Sequence, residues 1–409
     1  MNLKTSNMKK KLTLIPFLLL GFLKIANAQW IPLNSGTTNT LCSVYFVDTA
    51  IGYAVGARGT ILKTTNAGAS WEPKVSGTNF TLASVYFVNN NVGYIAGSDS
   101  NVFLGILLKT TDGGNTWNIL PAGYIYAMYA VHFTDENIGY AIGVGGVILK
   151  TIDGGMNWTP QTSGTTMFLK SMFFTGVDTA FIVGDGGTLL KTLNGGTTWT
   201  QMNAGVTFTL LSVYFTDKDT GFVGGSALLL KTVDGGITWT YHDMMNSYDV
   251  EDLYWETADT GYTIFYNGVI TKTIDGGTNW VSQPSGTMCL LNSMYFVKPK
   301  VGFIVGCDGY ISKTINGGED VGIKEIATDN NEALIYPNPA KENITIDLKN
   351  CINNKTTNIS IYNLQGQLLF QKATKQRQIE LYTGDYAKGM YVIKINTEDT
   401  IIYKKFLKE

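Results

Sequence analysis

Arginine, histidine and cysteine are all scarce: the 409 residues hold two arginines, two histidines and four cysteines. Thirty basic side chains against 32 acidic ones leave no broad positive surface, which excludes nucleic-acid binding and charge-driven attachment to anionic lipid. The cysteines, Cys42, Cys289, Cys307 and Cys351, are too few and too scattered for a disulfide framework or a zinc site. His132 and His242 stand apart from any Ser-Asp or Cys partner, so no nucleophile-base constellation assembles. After residue 28 there is neither helical periodicity nor a run of 18 apolar residues, so no membrane-spanning helix is expected. No metal or cofactor site is expected either.

What the chain does have is repetition. Lys-Thr, one residue, Asp or Asn, then Gly-Gly or Ala-Gly recurs seven times, with lysines at Lys63, Lys109, Lys150, Lys191, Lys231, Lys272 and Lys313, a period of about 41 residues. Units of that size cannot bury a core alone and must stack on their neighbours. Each unit holds four short β-rich stretches between glycine and polar turns, which reads as a four-stranded antiparallel blade. The expected architecture is all-β, a seven-bladed β-propeller over residues 29–318. A tryptophan follows each lysine by eight residues, at Trp71, Trp117, Trp158, Trp199, Trp239 and Trp280, but Val321 stands eight residues after Lys313. Trp30 has no lysine before it, so the N-terminal strand is expected to enter the last blade and close the ring. A closed ring brings Cys42 and Cys289 into neighbouring blades, where a bridge between them competes with four free thiols.

The turn fits Ser/Thr-x-Asp-x-Gly-x-x-Trp and resembles the Asp-box, or bacterial neuraminidase repeat, with Asn66, Asp112, Asp153, Asn194, Asp234, Asp275 and Asn316 at the Asx position. Asn replaces Asp freely because the side chain accepts backbone N–H bonds inside the turn, a structural task and not calcium binding. The lysine column is read as packing its stems on the neighbouring blade, against the alternative of an anion-binding ring. The Asp-box resemblance raises the sialidases, whose arginine cluster has no counterpart here, since only Arg58 lies in the propeller. Other glycosidases need two facing carboxylates. Asp99, Asp185 and Asp308 lie in loops opposite the Asp-box turns but also read as turn formers. On that face Asn39, Phe80, Tyr126, Met167, Phe208, Tyr248 and Cys289 enter the inner strands, one per blade, where aromatics can stack on a sugar or grip a peptide. Repeat two adds five residues within 98–105, including Asp99 and Phe103, making its loop the least repeat-like. The candidate ligand-binding residues are therefore Phe80, Asp99, Phe103, Tyr126, Asp185, Phe208, Tyr248 and Asp308, with no catalytic residue assigned.

The repeats Gly-Tyr-Ala-Val-Gly at 52–56, Gly-Tyr-Ala-Ile-Gly at 139–143 and Lys-Thr-Thr-Asp-Gly-Gly-Asn-Thr-Trp at 109–117 resemble the photosystem II stability and assembly factor family. That resemblance implies a non-enzymatic propeller that binds a membrane-protein subunit, although the family's arginine-rich surface is missing. Lys9, Lys10 and Lys11, the apolar run from Leu12 to Leu23 and Ala26-Asn27-Ala28 mark residues 1–28 as a secretory signal. Residues 319–332 read as a linker. Tyr336-Pro337-Asn338-Pro339 and the strand patterns at 343–348, 359–364 and 389–395 then give a small C-terminal β-sandwich over 333–409. In that order the elements resemble the type A sorting domain of the type IX secretion system of Bacteroidota, which implies the secretion machinery as a partner and release or display at the cell surface. The expected whole is a secreted, non-catalytic propeller that binds a protein or glycan, with a glycan-active hydrolase or lectin as the alternative.

Overall fold

The computed structural model of the protein describes residues 30–99, 104–120, 126–244, 248–319, 333–348, 356–363, 367–397 and 401–409. The signal segment 1–28, Phe103, Cys351 and residues 320–332 lie outside them. Among the described residues the only helical turns are four short 3-10 turns, and everything else regular is strand. The chain divides between Glu319 and Asp320 into two compact units.

The first unit is built from seven four-stranded antiparallel sheets. In the first blade the strands Leu41–Phe46, Gly52–Gly56, Thr60–Thr64 and Glu72–Lys74 follow one another from inside to outside. The second strand, Gly-Tyr-Ala-Val-Gly, is buried along its whole length, because a blade in a ring is covered on both faces. Residues of adjacent blades share one core: Tyr53, Val55 and Ile61 of the first blade pack with Leu82, Val85 and Phe87 of the second. The same kind of cluster joins the first blade to the last, where Leu41, Val44 and Phe46 meet Phe303, Val305 and Ile311.

The last blade takes its outer strand from the N-terminus. Ile31–Leu33 pairs antiparallel with Ile311–Thr314, Ile31 opposite Lys313. Trp30 is fully buried there, with its ring edge-on to Phe296 at 5.9 Å. Trp71 meets Phe46 in the same way at 6.0 Å, and Trp117 meets Phe87 at 5.8 Å. Trp30 therefore occupies the place that Val321 cannot fill. Its indole N–H donates to Gln283 Oε1 (2.9 Å), and Gln283 Nε2 donates to the carbonyls of Gly317 (3.3 Å) and Gly318 (2.9 Å).

The second unit is a β-sandwich of a three-stranded and a four-stranded sheet around one apolar core that includes Ile344, Ile346, Ile359, Ile393 and Phe406. Asn338 of the Tyr-Pro-Asn-Pro segment is tied to the final strand, Ile401–Lys408. Its Nδ2 donates to Lys405 O (3.1 Å), and Leu407 N donates to its Oδ1 (2.9 Å).

Candidate functional site

The repeated Lys-Thr turn is occupied by its own structure. In the second blade Thr110 Oγ1 donates to Asp112 Oδ1 (2.8 Å), and the backbone N–H groups of Asn115 and Thr116 donate to the same oxygen. Asn66 accepts the N–H of Ser70 (2.9 Å) with its amide oxygen in the equivalent geometry. Gly114 has φ +72°, and a Cβ there would come within 2.6 Å of the Tyr53 ring of the preceding blade.

The lysines do more than lay their stems on a neighbour. Lys63 Nζ donates to Gly113 O (2.7 Å), Lys109 to Gly154 O (2.7 Å), Lys150 to Gly195 O (2.6 Å) and Lys191 to Gly235 O (2.7 Å). Lys231 reaches Gly276 O (3.0 Å), Lys272 reaches Gly317 O (3.4 Å), and Lys313 crosses from the last blade to Ala67 O of the first (2.8 Å). Each ammonium also lies over an aromatic ring of its own blade, 5.9 Å from the Tyr53 centroid and 5.2 Å from that of Phe303. All seven ammonium groups are engaged by the next blade's turn, which gives the lysine column a structural role in joining the blades.

The opposite face, where the chain enters each inner strand, is different. The inner strands are Leu41–Phe46, Thr81–Phe87, Met128–Phe133, Leu169–Phe174, Leu210–Phe215, Val250–Trp255 and Leu291–Lys298. All seven carry a β-bulge near the start, the register slipping between Leu41 and Ser43 and at the six equivalent places. The residues left unpaired are Cys42, Ala83, Tyr129, Lys170, Leu211, Glu251 and Asn292, all half-buried. Behind them lies a column of Ser43, Ser84, Ala130, Ser171, Ser212, Asp252 and Ser293.

Deeper still, aromatic rings of adjacent blades lie against one another along the inner strands. Tyr45 lies 4.9 Å from Tyr295 and 5.3 Å from Tyr86, Tyr86 lies 4.5 Å from His132, and Tyr214 lies 4.9 Å from Phe173 and 5.4 Å from Tyr254. A cavity of about 360 Å³ sits beside these rings, lined in part by Ser171, Ser212, Tyr214, Asp252, Tyr254 and Tyr295.

Charge at the mouth is unevenly placed. Lys170 Nζ lies 3.8 Å from Asp185 Oδ1 and 4.6 Å from the Tyr129 ring centroid. Asp252 accepts from Ser212 Oγ (2.8 Å), Leu253 N (2.9 Å) and, across the blade junction, Met294 N (2.9 Å). Burial pushes its carboxyl above the usual range, against those hydrogen bonds. Glu251 is pushed up to about 7 by desolvation and by the nearby Asp249 and Asp252, with Lys170 pulling the other way. Burial holds the Cys42 thiol up at about 11 and pushes His132 down to about 4, so neither is charged near neutrality.

The residues expected at the site fall into three groups. Tyr126 (48% exposed), Met167 (47%), Phe208 (57%) and Tyr248 (47%) stand about half open on the entry face. Phe80 is half-buried and packs into the core shared by the first two blades. Asp185 is paired with Lys170, Asp308 is exposed in the last blade at φ +53°, Asp99 ends the strand Gly93–Asp99, and Phe103 lies outside the described residues. The three carboxylates come from the second, fourth and seventh blades.

Two features escaped the sequence reading. Cys289 is bonded to Cys307 within the last blade, not to Cys42, which is free. Both bonded cysteines flank the inner end of one blade on the entry face, a proximity that the strand order implied. The bulge column was also missed. Its signal is the spacing of buried residues at Leu41, Val44 and Phe46, which breaks strict alternation by one residue.

Comparison with known proteins places these features. Residues 23–125 and 120–206 match the photosynthesis system II assembly factor YCF48, and residues 334–409 match the secretion system C-terminal sorting domain. The solved structure of YCF48 bound to D1 peptide is 22% identical at a TM-score of 0.61, covering 70% of this chain and 95% of that one. PorZ, a surface component of the type-IX secretion system of Porphyromonas gingivalis, is 12% identical at a TM-score of 0.55, over 92% of this chain and 60% of its own. A GH74 enzyme from Niastella koreensis is 13% identical at a TM-score of 0.58, over 92% of this chain and 74% of its own. At these identities the likeness is one of fold. The ulvan lyase NLR42 of Nonlabens ulvanivorans is 32% identical over 71 residues, 17% of this chain, which spans 13% of that enzyme's length.

Proposed function

We propose that this chain, an Asp-box propeller resembling the photosystem II assembly factor family and followed by a type IX sorting domain, binds a polypeptide segment in the mouth of its ring without transforming it. The premise carries the address: the sorting domain engages the secretion machinery and directs export to the cell surface or the medium. No helix among the described residues is long and apolar enough to cross a membrane.

The observation that carries the reading is the entry face itself. Four exposed large side chains, Tyr126, Met167, Phe208 and Tyr248, stand where the chain enters the inner strands, and a cavity lined by Tyr214, Tyr254 and Tyr295 lies deeper along those strands. Large apolar side chains left open around a recess lose water favourably when a partner covers them, and a cavity of this size suits a side chain of such a partner. The YCF48 structure bound to D1 peptide supports a peptide as the ligand class. A non-catalytic role is favoured because Asp185 is engaged by Lys170, whereas a glycosidase needs a pair of carboxyl groups available to the scissile bond.

The GH74 fold relative supports a second reading, a glycan-active enzyme on the same propeller. A dodecapeptide array and a glycan array probed with the full-length mature chain separate the two. Peptide binding without glycan turnover is the expected result. Glycan cleavage abolished by Asp185→Asn, Asp308→Asn or Glu251→Gln would overturn the binding-only reading.

A further inference from the structure

The seven repeats act as an internal alignment of the mouth, and one column refuses to repeat. The residue before the bulge is Leu41, Leu82, Met128, Leu169, Leu210, Val250 or Leu291, always apolar and buried. The residue after it is serine in five blades. Ser43 Oγ accepts the backbone N–H of Val85 from the next blade, as Ser84 Oγ does from Val131 (both 3.3 Å) and as the Asp252 carboxylate does from Met294. Both columns are held by blade packing. Between them the bulge presents a thiol, a methyl, a phenol, an ammonium, an isobutyl, a carboxyl and an amide, a different group in every blade.

The fold does not ask for that variety, since the first two blades make the same bulge with Cys42 and Ala83. Placing charge there is costly, because a half-buried lysine and glutamate each give up hydration. The costly members sit together. Lys170, Leu211 and Glu251 come from the fourth, fifth and sixth blades in succession, a basic, an apolar and an acidic side chain along one arc, and Lys170 is near enough to act on the Glu251 carboxyl. Exposed Met167, Phe208 and Tyr248 stand just outside them in the same three blades.

Resting on the reading of the mouth as a peptide site, we propose that Lys170, Leu211 and Glu251 are its specificity-determining residues. Their ligand is a polypeptide segment that presents an acidic residue to the fourth blade, an apolar residue to Leu211 and a lysine or arginine to the sixth. Charge complementarity fixes the direction of the segment, because the reversed chain would set like charges against Lys170 and Glu251. The basic end carries more of the preference, since Asp185 already offsets Lys170, whereas Asp249 and Asp252 add to Glu251. Phe208 and Tyr248 flank that end and suit the stem and head of a long cationic side chain.

The test uses the full-length mature chain and synthetic dodecapeptides scanned with aspartate, leucine and lysine, read by fluorescence anisotropy. Wild type is expected to select peptides with acidic, apolar and basic residues in that order. The paired exchange Lys170→Glu with Glu251→Lys is expected to lose at least tenfold for those peptides and to gain for the inverted order. Glu251→Gln guards against misfolding of the exchange, and is expected to weaken lysine peptides while leaving their norleucine counterparts unchanged. If peptides bind but the exchange and Glu251→Gln leave the preference untouched, this assignment is wrong while the peptide reading stands. Absence of any peptide binding together with glycan binding overturns both.

Discussion

Four Asp-box carboxyls, Asp112, Asp153, Asp234 and Asp275, are held down near pKa 2 by hydrogen bonds, led in three of the four by the backbone N–H four residues on. A depressed carboxyl contributes stability that is present above its ordinary value of 3.8 and lost as pH falls toward 2. Because Asn66 and Asn194 accept the same backbone N–H with an amide oxygen, Asp153→Asn is expected to lower Tm only slightly at pH 7, and Asp153→Ala clearly more, in thermal melts of the two variants. Glu251 has the opposite sign. Its carboxyl is raised to about 7, so folding disfavours ionisation, and stability falls as pH rises from 4.5 through 7. With Lys170, Asp249 and Asp252 around it, the Tm of Glu251→Gln relative to wild type should rise across that window. A flat difference between pH 5 and 8 would place Glu251 in ordinary solvent. The Asp-box role of these residues was legible from the Asp/Asn interchange alone. Glu251 was not, because the broken alternation at Val250, Leu253 and Trp255 marks where the bulge falls but not how far its side chain is drawn out of water.

At the level of the element, ring closure depends on very few groups. Trp30→Ala removes a fully buried side chain and the N–H held by Gln283, and is expected to cost about 3–5 kcal/mol in denaturant unfolding. The strand order of the last blade could be read from the displaced tryptophan, since Trp30 lacked a lysine and Lys313 lacked a tryptophan. The latch through Gln283 could not, because a single glutamine in an outer strand carries no pattern. The Cys289–Cys307 bond closes a short loop, and replacing both by serine is expected to cost about 3 kcal/mol by the loop-entropy relation. A melt unchanged by that double replacement would show the bond absent in solution. The sequence offered four free thiols, with a Cys42–Cys289 bridge as the alternative drawn from the order of the blades round the ring, and neither is found. Position within a blade decided the pairing instead.

For the molecule as a whole, the two units divide the work. The propeller provides a face with an open mouth, and the sorting domain provides the route out of the cell. Deleting residues 333–409 should leave the propeller in the periplasm, checked by fractionation, and its appearance in the medium would contradict the assignment of the tail. Blade count, blade order and the export module were all legible because each is written as a repeat or an ordered set of motifs. The ligand was not, since the contacts proposed for it come from the column where the repeats differ. The most direct measurement of the central claim is photo-crosslinking of an array-selected dodecapeptide carrying a benzophenone to the mature chain, with the attachment points mapped by mass spectrometry. Attachment within 126–130, 167–171, 208–212 and 248–252 is the predicted result. Attachment confined to the Asp-box turns of the opposite face would contradict it.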